Sequence, residues 1–143
     1  MAYYKKFQSK LNQKWYPRSI TVGTVSTNQI AERLAAESTV SPADVAAVLK
    51  GLAPVMRSFM SQGLTVKLES VGTFYYTADA SEQGVDTEKD VTANQIKGVR
   101  VRFIPEGTRK AGSKTVTRAL TDTEITWQEW KGDEPKAEEE TTA

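Results

Sequence analysis

Cysteine and histidine are both absent from this 143-residue chain. Without cysteine there is neither a disulfide framework nor a thiolate metal site. Without histidine the usual general base and the commonest metal ligand are gone. Catalysis would fall to carboxylate pairs or a Ser–Lys arrangement, and the sequence has no nucleophile motif, glycine-rich phosphate loop or metal-ligand cluster. The expectation is a non-enzyme with no cofactor, no metal and no small-molecule substrate. Long apolar runs are missing too: the longest candidate, residues 45–60, is interrupted by Lys50, Pro54 and Arg57, so no membrane span is expected. The first ten residues are polar and lack the apolar core of a secretory signal, which makes the cytoplasm the expected location.

What is present is an ordinary globular composition, 38% hydrophobic and 26% charged, with room for one domain and a core. The net charge of +1 conceals an asymmetry. Residues 1–118 hold 17 Lys and Arg against 10 Asp and Glu, whereas residues 119–143 hold 2 against 8. A basic body with an acidic end fits a polyanion binder whose end competes for the same surface; the plainer role of that end is solubility.

Along the chain, residues 3–10 and 15–22 are rich in aromatic and β-branched residues and predict two strands, Pro17 marking an edge. Ser26 with Gln29 predicts a capping box opening a first helix, whose apolar face is Ile30, Ala31, Leu34 and Ala35. Ser41, Pro42 and Asp44 predict the start of a second helix, Gly63 its stop, and Pro54 a distortion inside it. The stripe Val45, Val48, Leu49, Leu52, Val55, Met56 and Phe59 makes this helix a core or dimer element rather than a DNA-reading one. Residues 64–77 read as two strands joined near Glu69–Gly72, with Gly72 suited to a close backbone approach. Residues 78–93 are polar and acidic, a long connection or arm. Val99, Val101 and Phe103 alternate with Arg100, Arg102 and Ile104, a strand with one apolar and one largely basic face. A short final helix is expected over residues 108–119. Beyond Asp133 the composition predicts disorder. Trp127 and Trp130 would share a face on a helix, either tucked against the domain or serving as a docking peptide.

The block G-L-T-V-K-L-E-S-V-G-T-F at residues 63–74, after the S-P-A-D helix start, resembles the bacterial HU/IHF histone-like family. With N-Q-I-K-G-V-R-V-R-F at residues 94–103, it looks most like the HU-related divergent branch typical of Bacteroidetes. The resemblance covers roughly residues 20–110. It implies an α+β fold: a helical pair packed on an antiparallel sheet with a β-arm, extra N-terminal strands, and an intertwined homodimer. The division it implies is a strand extension at 1–24, an HU/IHF-like DNA-binding domain at 25–118 and an acidic, disordered tail at 119–143. The implied function is non-sequence-specific, architectural binding of double-stranded DNA through a basic saddle, in the nucleoid. The alternative is an HU-like dimeric interaction module that no longer binds DNA.

Within that frame Arg100 and Arg102 are the expected phosphate contacts. Strand alternation places them on one face about 7 Å apart. Lys97 extends the row, and Arg109 and Lys110 follow beyond the strand. Val71, Gly72 and Phe74 carry the fold rather than the function. The chain departs from the family at the arm: residues 78–93 contain no proline and no arginine, so the intercalating wedge maps to no residue here. Ile104-Pro105-Glu106 also inserts one residue before the glycine relative to the family's Phe-x-Pro-Gly spacing.

Overall fold

The computed structural model describes residues 1–80, 83–109, 111–112 and 116–132, with 116–118 by their backbone alone. In chain order the elements are β1 (Ala2–Gln8), β2 (Trp15–Ile20), α1 (Thr27–Ala36), α2 (Pro42–Met60), β3 (Val66–Leu68), β4 (Gly72–Ala80), β5 (Ile96–Pro105), β6 (Gly107–Arg109), β7 (Val116–Arg118) and β8 (Trp127–Glu129). Single 3-10 turns lie at Glu88–Asp90 and Ala93–Gln95. Two compact units form: Met1–Pro42 with the segment from Glu124, and Ala43–Thr123. Two α-helices and sheets that are antiparallel apart from the β1–β8 seam are compatible with an HU-like α+β fold.

In the first unit the two expected strands, β1 and β2, pair as an antiparallel hairpin, running from Tyr3↔Ile20 to Gln8↔Trp15. Its loop is closed where the Ser9 amide donates to the Lys14 carbonyl at 2.9 Å. Pro17 sits on β2, an edge strand of the order β2-β1-β8, where its missing amide costs no ladder bond. β8 pairs with β1 in parallel, Ala2↔Trp127 to Tyr4↔Glu129. β8 falls within residues 119–143, the segment expected to be an acidic, disordered tail. Residues 133–143 lie outside the described residues. β8 also separates the two tryptophans, because a strand sends positions of opposite parity to opposite faces. Trp130 packs edge-on against Tyr3, with ring centroids 5.0 Å apart. α1 belongs to this unit. Ser26 Oγ accepts from the Gln29 amide at 3.2 Å, and the Ser26 amide donates to Gln29 Oε1 at 2.8 Å, completing the predicted capping box.

In the second unit α2 starts at Pro42, a residue that sacrifices no helical hydrogen bond at the first position. The helix continues through Pro54 to Met60, and the Lys50 carbonyl loses the amide that position 54 would otherwise supply. It ends in a Schellman cap. The Gly63 amide donates to the Met60 carbonyl and the Leu64 amide to the Phe59 carbonyl, with Gly63 at φ 81°. The wide apolar stripe divides into two. Val45, Leu49, Leu52 and Met56 are half-buried and Met60 is buried, whereas Val48, Val55 and Phe59 face outward.

β3, β4 and β5 form an antiparallel meander, with Val66↔Phe74 and Phe74↔Phe103 in register. A glycine is required at position 72: its φ is 153°, and a Cβ there would run into the Ile104 carbonyl oxygen and lie 2.6 Å from the Phe103 ring. The residue that interrupts the family's spacing, Glu106, ties the β3–β4 turn to the end of β5. Its carboxylate accepts the Ser70 amide, which sits at φ 64°, and pairs with Lys67 at 3.4 Å. Its own amide donates to the Val71 carbonyl at 3.1 Å. Glu106→Ala is expected to lower stability by about 1–2 kcal/mol, the usual cost of removing a charge-assisted bond to a backbone donor. Urea unfolding followed by circular dichroism measures it, and an unchanged midpoint would refute the clamp.

The expected final helix over 108–119 is replaced by the β6–β7 hairpin, with Gly107↔Arg118 to Arg109↔Val116. The segment has no apolar stripe of helical period, while Thr108, Val116 and Thr117 are β-branched and Gly112, at φ 80°, supplies a left-handed turn.

Candidate nucleic-acid interface

Register alone decides what lies on each face of the meander. One face carries Val66, Phe74, Tyr76, Val99, Val101 and Phe103; the other carries Lys67, Thr73, Tyr75, Thr77, Arg100 and Arg102. Arg100 stands opposite Thr77 and Arg102 opposite Tyr75, so the two guanidinium groups share the polar face as alternation predicts. Among the described residues no carboxylate forms an ion pair with Arg102. Arg100 is engaged: its Nη2 lies 2.7 Å from Asp79 Oδ1, with side chains 62% and 43% exposed. An ion pair this open to water contributes at most about 1 kcal/mol, so a phosphate can displace the carboxylate.

The other predicted cations are dispersed. Asp79 pairs with Gly98 and Ala80 with Ile96, leaving Lys97 as the extra residue of a bulge at the foot of the arm, outside the regular alternation. Arg109 is exposed on β6, in a different sheet. Lys110 lies outside the described residues. Lys67, which sequence reasoning passed over, joins the polar face opposite Thr73 and holds Glu106. Its signal was present in the alternation of Leu64, Val66 and Leu68, which turns Lys67 to the opposite side. Asp79 was also missed as a partner, because it was grouped with the acidic residues of the connection.

Beyond the β4–β5 pairing, local bonds close two single turns in the connection. Thr87 Oγ1 donates to Asp90 Oδ2 at 2.8 Å, and Thr92 and Gln95 form a second capping box. These bonds tie down an acidic segment, and acidic groups repel phosphate.

Among the described residues no group of three or more Asp, Glu, His or Cys is placed to hold a metal ion, and no helix is long and apolar enough to cross a membrane. In the first unit Lys6 pairs with Glu129 at 3.0 Å, and this hydrogen bond, with the attraction of the same carboxylate, raises the Lys6 pKa above its ordinary value.

An antiparallel sheet with a cationic face, together with a helix carrying excess apolar surface, is compatible with an HU-like domain. The chain belongs to the HU-related family described as an HU domain fused to a wHTH, Ig or glycine-rich motif, whose model matches residues 2–119. At this level the family indicates DNA and a second copy of the chain as partners. No curated protein matches the chain.

Proposed function

We propose that this chain is a non-catalytic, architectural DNA-binding protein of the HU-related branch typical of Bacteroidetes. It acts as an intertwined homodimer, nucleoid-associated and cytoplasmic, and grips double-stranded DNA without regard to sequence. The observation that carries the reading is the pair Arg100 and Arg102 side by side on the exposed polar face of β5, with Lys67 two strands away. Cations on a strand surface meet phosphates, which carry no sequence information. The arm offers no proline wedge and repels phosphate, so the duplex is bent less than an intercalating arm would bend it.

The dimer follows from unspent apolar surface. Among the described residues only Ala31 and Met60 are buried apolar side chains. Val48 is 70% exposed on α2 and Val101 60% exposed on β5. Surfaces of this kind on a folded chain call for a partner, and an intertwined second copy would cover both.

The test is a gel-shift series on random-sequence duplex. If four arginines of a dimer engage phosphates, affinity falls about 100-fold between 50 and 200 mM salt. Absence of duplex binding at low ionic strength overturns the proposal. It would favour instead an HU-like interaction module, the reading to which the Asp79–Arg100 pair and the acidic connection lend weight. That module's protein partners would survive nuclease treatment.

A further inference from the structure

The N-terminal hairpin has the densest mixture of cations and aromatic rings in the chain, and the duplex-binding reading makes no use of it. Residues 1–25 contain Lys5, Lys6, Lys10, Lys14 and Arg18, and the first carboxylate of the chain is Glu32. The register of the β2-β1-β8 sheet turns Tyr4 and Lys6 to the same side as Trp15, Pro17 and Trp127. These side chains line an open groove of about 760 Å³. Trp15 is 64% exposed and Trp127 50%. On the opposite side of the sheet Tyr3 and Trp130 cover each other.

The arrangement has an order along β1. Trp127 stands level with Ala2, Tyr4 and Lys6 follow, and Trp15 stands level with Gln8. The platform is therefore a diagonal of aromatic rings roughly 20 Å long, interrupted by one lysine. Glu129 holds that lysine in place at 3.0 Å. Lys10 and Lys14 are exposed in the loop between the strands, and Lys14 immediately precedes Trp15.

Charge favours an anionic ligand: Lys6 offsets Glu129, the one carboxylate of this sheet, and Lys10 and Lys14 add two exposed cations in the adjoining loop, while Lys5 and Arg18 are register partners on the opposite face. The rings then distinguish among polyanions. A duplex keeps its bases stacked inside and presents phosphates, which leaves Trp15 and Trp127 without a role. An unpaired strand presents both a phosphate backbone for lysines and free base faces for aromatic rings. We infer that this groove is a second, separate nucleic-acid site, which takes single-stranded nucleic acid by stacking bases on Trp15 and Trp127 while Lys10 and Lys14 meet the backbone.

The inference stands independently of whether the β3-β4-β5 sheet grips duplex, and the two fail separately. The full chain is titrated with an oligothymidylate and with a duplex of equal length, following tryptophan fluorescence and direct binding. The oligothymidylate is expected to quench the fluorescence. Trp15→Ala with Trp127→Ala lowers affinity for it roughly 30-fold or more, as two lost stacking contacts require, and leaves duplex affinity unchanged. Trp15→Phe with Trp127→Phe retains most of the binding, and Arg100→Ala with Arg102→Ala gives the reverse pattern. Should the alanine pair not fold by circular dichroism, Lys10→Glu with Lys14→Glu, confined to the exposed loop, decides: it must weaken the oligothymidylate at least tenfold more than the duplex. Unchanged fluorescence at saturating oligothymidylate overturns the inference. So does an equal loss on both ligands, or quenching by an acidic proline-rich peptide alone.

Discussion

Replacing Arg100 and Arg102 together by alanine is expected to weaken duplex binding about 100-fold at low salt, by the same factor on every sequence. A homodimer loses four guanidinium groups at once. If each neutralises a phosphate, the slope of log affinity against log salt becomes shallower by roughly 4. The uniformity matters as much as the size, because loss of a base-reading contact would instead fall on particular sequences. Asp79→Asn provides the opposing test. It removes the carboxylate that holds Arg100 at 2.7 Å without changing side-chain volume, so duplex binding should tighten several-fold on this account. Gel shifts at several salt concentrations measure both. A double variant that binds as the parent chain does would exclude this face of β5 as the contact surface.

Gly72→Ala is expected to cost about 2–5 kcal/mol, much of the stability of a domain this size. Two penalties act together. The backbone at φ 153° disfavours any side chain, and the added carbon collides with the Ile104 carbonyl oxygen and the Phe103 ring. The carbonyl cannot retreat cheaply, because Gly72 pairs with Pro105 and Thr73 with Ile104 at the base of the β4–β5 ladder. The ring is held too, since Phe103 packs on Phe74 with centroids 4.8 Å apart. Gly63→Ala isolates the first penalty. Gly63 has φ 81°, and a Cβ added there would meet nothing within 4 Å, so it should lose only about 1 kcal/mol. Urea midpoints compare the two, and equal losses would mean that the close approach at Gly72 is not energetically significant.

The features legible in advance were those whose cause lies within a few residues. The capping box at Ser26 and Gln29, the stop at Gly63, the strands β1 and β2 and the alternation of Arg100 with Arg102 each follow from local chemistry. What escaped prediction depends on partners distant in sequence. β8 has only three residues and little signal of its own; it exists because β1 offers it an open edge. Glu106 reaches Ser70 across 36 positions. The Asp79–Arg100 pair depends on the strand register and falls next to a bulge. A short helix was expected where the β6–β7 hairpin stands, although the segment has no apolar stripe for a helix to bury.

The parallel seam between β1 and β8 also determines where the acidic end can be trimmed. A cut at residue 119 would remove more than negative charge, since it strips the first strand of its neighbour and leaves a bare, ring-studded margin open to pairing with other chains. Shortening from residue 133 onward keeps that seam shut, so any gain in affinity could then be credited to electrostatics alone.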